Sequence, residues 1–187
     1  MKKIIALVVM LAFASAAQAR EMSDGKKDRK GFMLGFGLGA GAAHFQGGGD
    51  SDNKAVFLSD VRIGGGLTEK ILLMCNSSVD YSRFDSVNLM LFHSDVAAQF
   101  FVWEGFFLRP SLGISKSRAS TDIGGTTYAV SGKWSFGGSL ATGYEFRFGK
   151  YFALSPELLY RYTRIRGNID NANAHAVGAQ AGLTWYF

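Results

Sequence analysis

Residues 175–187, HAVGAQAGLTWYF, decide the fold class of this chain because apolar side chains alternate with small or polar ones along the stretch. One set of alternate positions holds Val177, Ala179, Ala181, Leu183, Trp185 and Phe187, and the other holds Ala176, Gly178, Gln180, Gly182, Thr184 and Tyr186. Successive side chains point to opposite faces of a β-strand. The stretch therefore predicts a strand with one apolar face and one small or polar face.

Residues 1–19 have the pattern of a secretory signal peptide. Two lysines precede an apolar run at 4–14, and a small-x-small cleavage site ends at Ala19. The run is too short for a membrane-spanning helix. The cleavage site has no cysteine, so we do not expect a lipoprotein. We expect the mature chain to start at Arg20, with residues 20–30 as a flexible periplasmic leader because they are polar, charged and without periodicity.

Composition narrows the class of protein further. The formal net charge is only +5, and two of the positive charges lie in the signal peptide. A net positive charge this small does not favour a function in nucleic-acid binding. Cys75 is the single cysteine, so an intramolecular disulfide is excluded. With 24 glycines, two prolines, 14% aromatic residues and no apolar stretch of helical span after residue 19, the exported chain is predicted to be all-β.

The same alternation recurs from Gly31 to the end of the sequence and predicts eight strands. They lie at 32–42, 57–67, 71–81, 90–102, 106–115, 134–148, 152–162 and 175–187. A tilted strand of roughly 9–11 residues crosses a bilayer, so each predicted strand is long enough to span it. Pro110 cannot donate a ladder hydrogen bond, and we expect a bulge there.

The connections between the predicted strands alternate in length. Longer loops are expected at 46–54, 82–86, 117–132 and 165–173, and tight turns at 67–70, 104–105 and 149–150. Gly124 and Gly125 are the expected tip of the longest loop. Short periplasmic turns that alternate with longer outer loops are typical of a transmembrane β-barrel. Residues 31–187 are therefore predicted to form an eight-stranded antiparallel barrel.

The residue pattern predicts a barrel that is apolar outside, with glycine and polar residues in a narrow lumen. Aromatic residues also fall at two depths, as membrane interfaces favour. The belt near the short turns contains Phe32, Phe101, Trp103, Phe106, Phe148, Tyr151, Phe152, Trp185 and Phe187, and the other contains Phe45, Phe57, Tyr81, Trp134, Tyr160 and Tyr162. A soluble, lipocalin-like barrel is the alternative, but it needs no such belts.

The signal peptide, the eight strands and the final LTWYF resemble the small outer-membrane barrels of the OmpA/OmpX type. Leu183, Trp185 and Phe187 resemble the assembly signal that the barrel assembly machinery reads in that family. The resemblance implies a monomer in a Gram-negative outer membrane, in contact with membrane lipid and lipopolysaccharide, with an extracellular ligand for the loops. It implies no cofactor and no nucleic acid. Because the sequence stops at Phe187, a peptidoglycan-binding domain is not expected.

Charged residues collect on the inward-facing positions. They are Asp60, Arg62, Asp95, Arg109, Glu145, Arg147, Glu157 and Arg161, with His93, Gln99 and Gln180 among them. Charges in a narrow, poorly hydrated lumen need partners, so we expect an ion-pair network that blocks the lumen. Arg109 and Glu145 lie on adjacent predicted strands near the periplasmic turns, and we predict that they pair.

The sequence leaves three functions open: a structural or surface-interaction barrel acting through its outer loops, a lipid-modifying enzyme, and a small channel. A serine nucleophile needs a base within reach. None of the histidines has serine two positions later, as in lipid A deacylases, and His93 and Ser94 face opposite sides. We therefore expect no catalytic site. His44 and His175 become neighbours if the barrel closes, but no four-ligand metal set is visible, so we expect interfacial residues and no bound metal.

Overall fold

The computed structural model describes residues 29–47, 50–84, 87–166 and 171–187. The predicted signal peptide and positions 20–28 of the leader lie outside the described residues. The strands are β1 (Gly31–Gly47), β2 (Asp50–Gly66), β3 (Ile71–Phe84), β4 (Val87–Trp103), β5 (Phe106–Ile123), β6 (Thr126–Ser131), β7 (Ser135–Tyr144), β8 (Phe146–Phe148), β9 (Phe152–Arg166) and β10 (Asn171–Tyr186). The described part of the chain holds no helix that is long and apolar enough to cross a membrane.

The strands form one closed antiparallel barrel. β1 pairs with β10 from Met33 opposite Tyr186 to Gly47 opposite Ala172, and this pairing closes the sheet. β6 and β7 both pair with β5, while β7 and β8 both pair with β9, so these three segments together make one barrel strand. The described residues therefore build an eight-stranded barrel, which confirms the predicted fold class.

The two faces of the strands have the predicted inside-out chemistry. Leu112 and Leu158 on the outer face are 63% and 64% exposed. Arg62 and Glu157 on the inner face are 2% and 3% exposed. An apolar exterior around a polar interior is stable only when hydrocarbon surrounds the barrel, because exposed apolar surface is unfavourable in water.

The strands extend beyond their predicted ends. β1 extends to Gly47, and β2 already begins at Asp50. β5 extends to Ile123, and after a turn at Gly124 and Gly125 the chain returns as β6. The expected 117–132 loop is thus a hairpin with the predicted tip. The expected loops at 46–54, 82–86 and 165–173 are also mostly strand, and their positions 48–49, 85–86 and 167–170 lie outside the described residues. Above the bilayer neither face has to be apolar, so backbone pairing continues without the regular apolar alternation that marks a strand.

The predicted bulge at Pro110 is wrong. The register between β4 and β5 is the same on both sides of Pro110, and the irregularity lies between Phe101 and Trp103 instead. The fixed φ of proline suits a strand, so its missing N–H weakens the ladder without shifting the register.

Two residues assigned to the aromatic belts face inward. Phe101 is buried in the lumen beside Phe107, with ring centroids 5.8 Å apart. Phe45 packs against Phe84 inside the outer end of the barrel, with ring centroids 5.0 Å apart. Aromatic side chains therefore fill the interior near both ends in addition to lining the outer surface.

Candidate functional site: the barrel interior

Glu157 on β9 lies at the centre of the interior polar network. Arg62 Nη1 donates to Glu157 Oε1 at 2.7 Å, and Nη2 donates to Oε2 at 2.9 Å. Arg109 donates to both oxygens of the same carboxylate, and Gln180 Nε2 donates to Oε2 at 2.7 Å. One buried carboxylate thus holds two guanidinium groups and one amide from three other strands.

Asp60 balances the second positive charge of this network. Its Oδ1 lies 2.6 Å from Arg62 Nε, and its Oδ2 accepts from Arg62 Nη2 at 2.9 Å and from Gln180 at 3.0 Å. Arg109 also donates to Gln99 Oε1 at 3.1 Å. We call Asp60, Arg62, Gln99, Arg109, Glu157 and Gln180 the central network. It contains two acids and two arginines, so its formal charge is zero.

Two glycines make room for the central network. A Cβ at Gly37 would lie 2.6 Å from Asp60 Oδ2, and one at Gly182 would lie 2.6 Å from Glu157 Oε1. These glycines face each other across the β1–β10 pairing. The small residues in the alternating pattern of β1 and β10 therefore leave the volume that the charged side chains occupy.

A second polar group lies farther along the interior, toward the outer end. Arg161 Nη1 donates to Asp80 Oδ1, and His93 Nε2 lies 3.4 Å from the other oxygen of that carboxylate. Ser111 Oγ donates to Asp95 Oδ2 at 3.2 Å. All five side chains are buried. Asp80 and Arg161 thus form an ion pair at this level, while Asp95 accepts a hydrogen bond from a neutral side chain.

The periplasmic end of the interior is closed by residues from both ends of the described chain. Arg29 Nε donates to Glu145 Oε1 at 2.8 Å, and Tyr186 donates its hydroxyl to Glu145 Oε2 at 2.5 Å. The Arg29 guanidinium also stacks 3.7 Å above the Phe101 ring, and the Arg147 guanidinium lies 4.1 Å above the Tyr186 ring. Arg147 is the weaker partner of Glu145, at 3.7 Å.

Two clusters of buried apolar side chains pack beside the polar groups. A cluster near the periplasmic end contains Met33, Leu72, Met74, Ala97, Phe101, Phe107, Ala153 and Tyr186. A second cluster contains Ala43, Val56, Leu58, Ala141, Leu159 and Ala176. Each cluster excludes water from the neighbouring charges, which strengthens the ion pairs and makes an unpaired charge costly.

The structure brings the predicted interior residues together but changes their partners. The predicted pair of Arg109 with Glu145 is wrong, because Arg109 contacts Glu157 and Glu145 contacts Arg29, Tyr186 and Arg147. The prediction considered only adjacent strands, whereas a narrow lumen lets long side chains reach across it. Asp95 forms no ion pair within the described residues and bonds to Ser111 instead.

Sequence reasoning missed three interior partners. Asp80 shares the inward parity of β3, which was a usable signal. Tyr186 also lies on the inward face of β10, but its apolar ring conceals a polar contact. Arg29 could not be identified from the sequence, because it lies in the predicted flexible leader, which has no periodic pattern. In the structure it is held by four contacts.

No hydrogen bond joins a histidine to a serine among the described residues. His93 is buried in the lumen, and Ser94 is exposed on the outer face. His44 and His175 are directly opposite each other in the β1–β10 pairing. Their Nδ1 atoms lie 2.8 Å from Asn53 Oδ1 and Tyr160 Oη, respectively. Among the described residues, no group of three or more His, Cys, Asp or Glu side chains is placed to hold a metal ion.

The residues of the expected assembly signal lie on the outward face beside the closure of the barrel. Trp185 contacts Phe36 and Phe152, with ring centroids 5.9 and 5.3 Å apart. Phe187 is 62% exposed, and its N–H donates to the Phe32 carbonyl at 2.9 Å. Leu183 is partly exposed on the same face.

A closed eight-stranded barrel with an apolar exterior and a polar interior is the fold of the small outer-membrane β-barrels, and this chain has that fold. It is similar to Neisserial surface protein A, with 18% identity and a TM-score of 0.56 over 83% of this chain and 97% of that one. It is also similar to Ail of Yersinia pestis, with 14% identity and a TM-score of 0.52 over 80% of this chain and 97% of that one. No family model and no curated protein matches the sequence.

Proposed function

We propose that this protein is a surface-interaction barrel of the outer membrane whose lumen is closed and whose outer hairpin contacts an extracellular partner. The observation that carries the proposal is the β5–β6 hairpin. Among the described strands β6 contacts only β5, so this outer part of the barrel strand extends beyond the end of the neighbouring β9. Tyr128 and Val130 on β6 are 57% and 66% exposed.

The chemistry of this hairpin suits a protein partner. Tyr128 and Val130 lie on one face, two residues apart, and offer apolar and aromatic surface of the kind enriched at interface centres. Within the described residues, the edge of β6 away from β5 has no strand partner, and the isolated bridge between Lys133 and Arg166 lies beyond the end of β6. An open edge can accept a strand from another protein. The structure with 14% identity is named as an attachment invasion locus protein, which agrees with a contact role outside the cell.

The interior supports a closed barrel rather than a channel. The central network spans the lumen from β2 to β9, and apolar clusters lie on both sides of it. Ions crossing this interior would have to separate buried ion pairs, which is unfavourable. We expect negligible steady conductance from the purified protein in planar bilayers, and stable, ion-selective unitary currents would favour the channel alternative instead.

The interaction role is tested with cells that display the wild-type protein or the double variant Tyr128→Ser/Val130→Ser. Adhesion to surfaces coated with fibronectin, laminin or collagen is measured, with heat-modifiable gel mobility as the check that the barrel is folded. We expect adhesion above that of cells without the protein, and loss of that excess in the variant. Leu67→Ser, an equally exposed change in a periplasmic turn, is the matched control. Equal adhesion of the wild-type and double-variant cells would contradict the role of the hairpin.

A further inference from the structure

Five basic side chains lie together at the outer end of one side of the barrel. They are Lys116 and Arg118 on β5, Lys133 between β6 and β7, and Arg164 and Arg166 on β9. All are exposed except Lys116, which is partly exposed. We call these five residues the rim cluster.

The position of the rim cluster corresponds to the headgroup layer of the outer leaflet. On β5, Lys116 and Arg118 continue the outward-facing row that contains Leu112 and Ile114, which are 63% and 46% exposed. On β9, Arg164 follows Leu158 and Tyr160 in the same way. Trp134 marks the same depth, since tryptophan favours the membrane interface, and Lys116 Nζ lies 5.6 Å from its ring centroid.

The pairing of the strands brings the rim cluster into one patch. Lys133 is directly opposite Arg166, with its N–H donating to the Arg166 carbonyl at 2.9 Å. Gly132 N–H donates to the Ser117 carbonyl at 2.9 Å, which fixes Lys133 beside β5. Residues opposite each other, or two apart on one strand, have Cβ atoms within about 7 Å. A single anionic group can therefore contact two of these cations at once.

The rim cluster lacks acidic partners within the described residues. None of the five side chains forms an ion pair there, and Asp122, farther along β5, accepts a hydrogen bond from Thr127. Like charges directly opposite each other destabilise a sheet. The repulsion becomes attraction when an anion binds between them, and guanidinium groups bind phosphate through paired hydrogen bonds.

We infer that the rim cluster is a binding site for the phosphorylated headgroup of an outer-leaflet lipid. The cations stand next to the apolar wall, so a lipid whose acyl chains lie against Leu112 and Leu158 places its headgroup phosphates at the cluster. A free phosphate ion gains nothing from that wall. The site is separate from the exposed face of Tyr128 and Val130, and it goes beyond the proposed interaction function.

The site is tested by titrating lipid A into the purified wild-type barrel in detergent and counting bound lipids by native mass spectrometry. We expect bisphosphorylated lipid A to bind at least about tenfold more tightly than lipid A whose phosphates have been removed, because two or more charge-assisted contacts are lost. This comparison uses only the wild-type protein. Equal binding of the two lipids would overturn the inference.

A variant locates the site. Arg118→Gln/Lys133→Gln/Arg164→Gln/Arg166→Gln should bind both lipids with similar affinity, whereas the matched control Lys70→Gln/Lys150→Gln, altered in two periplasmic turns, should keep the wild-type preference. Retention of that preference by the four-residue variant would show that the phosphates bind elsewhere. Displacement of lipid A by an equal concentration of inorganic phosphate would show a site for free phosphate and would also overturn the inference.

Discussion

Glu157 is the residue on which the interior charges depend most, because Arg62 and Arg109 both donate to it. Glu157→Gln keeps the size of the side chain but leaves two buried guanidinium groups with one carboxylate. We expect the free energy of unfolding to fall by roughly 3–5 kcal/mol, measured by urea unfolding of the barrel refolded in lipid vesicles.

The partner variant tests whether the charges act as a network. Arg109→Met should cost less than Glu157→Gln, because Arg62 still pairs with Glu157. The double variant should cost less than the sum of the two single changes. Additive losses would mean that the two side chains do not interact.

The residues of the interior could be predicted better than their contacts. Inward parity alone identified Asp60, Arg62 and Glu157, because alternation is local to each strand. Pairing depends on distances across the lumen, as between Arg62 on β2 and Glu157 on β9. No local pattern encodes those distances, so the choice of Arg109 with Glu145 failed.

At the scale of elements, the segment before β1 is fixed to the periplasmic end of the barrel. Arg29 bonds to Glu145 and also donates to the carbonyls of Glu69 and Glu104 in two different turns. A Cβ at Gly66 would lie 1.9 Å from the Arg29 carbonyl oxygen, so the backbone itself approaches closely. The leader therefore ends in a contact that joins three separate parts of the barrel.

Replacing Arg29 should loosen this end of the barrel. For Arg29→Ala we expect a stability loss of about 1–3 kcal/mol, because Glu145 loses a charged donor, and faster amide hydrogen exchange at residues 29–33. Lys70→Ala, an exposed change in the 67–70 turn, is the control and should leave both measurements near the wild-type values. Unchanged exchange in Arg29→Ala would show that the contact does not fix the segment.

The outward face of β9 gives a second prediction for an element. Leu158→Arg places a charge in the hydrocarbon and should lower stability by roughly 2–4 kcal/mol in lipid vesicles. Tyr128→Arg, on the hairpin beyond the barrel, should change stability by no more than about 0.5 kcal/mol. Urea unfolding of both variants measures the difference, and equal losses would contradict the assignment of Leu158 to the lipid-facing surface.

For the whole molecule, the lipid-facing segments could be predicted and the extracellular segments could not. Within the bilayer, the lipid-facing side of a strand must be apolar. Alternating apolar positions such as Leu112 and Leu140 therefore allow the strand to be predicted from the sequence. Above it, Thr126 and Thr127 satisfy the same backbone hydrogen bonds with no apolar alternation, and the hairpin was taken for a loop. The number of barrel strands was predicted correctly because every membrane-spanning segment has the apolar alternation.

The carboxy-terminal residue Phe187 affects the whole molecule. Its contribution to the stability of the folded barrel can be measured separately from its contribution to assembly in the membrane. In the folded barrel Phe187 contributes one backbone hydrogen bond to Phe32 and a ring contact with a centroid distance of 5.8 Å. Deleting it should therefore lower the unfolding free energy by only about 1–2 kcal/mol in vesicles.

If residues 183–187 are also read as an assembly signal, the same deletion should reduce the amount of folded barrel in the outer membrane several-fold, far more than its stability predicts. Heat-modifiable gel mobility of outer-membrane fractions measures that amount. Phe32→Ala is the control, because it removes the same ring contact while leaving the terminal residue in place. A deletion variant that accumulates like Phe32→Ala would show that Phe187 acts through packing alone.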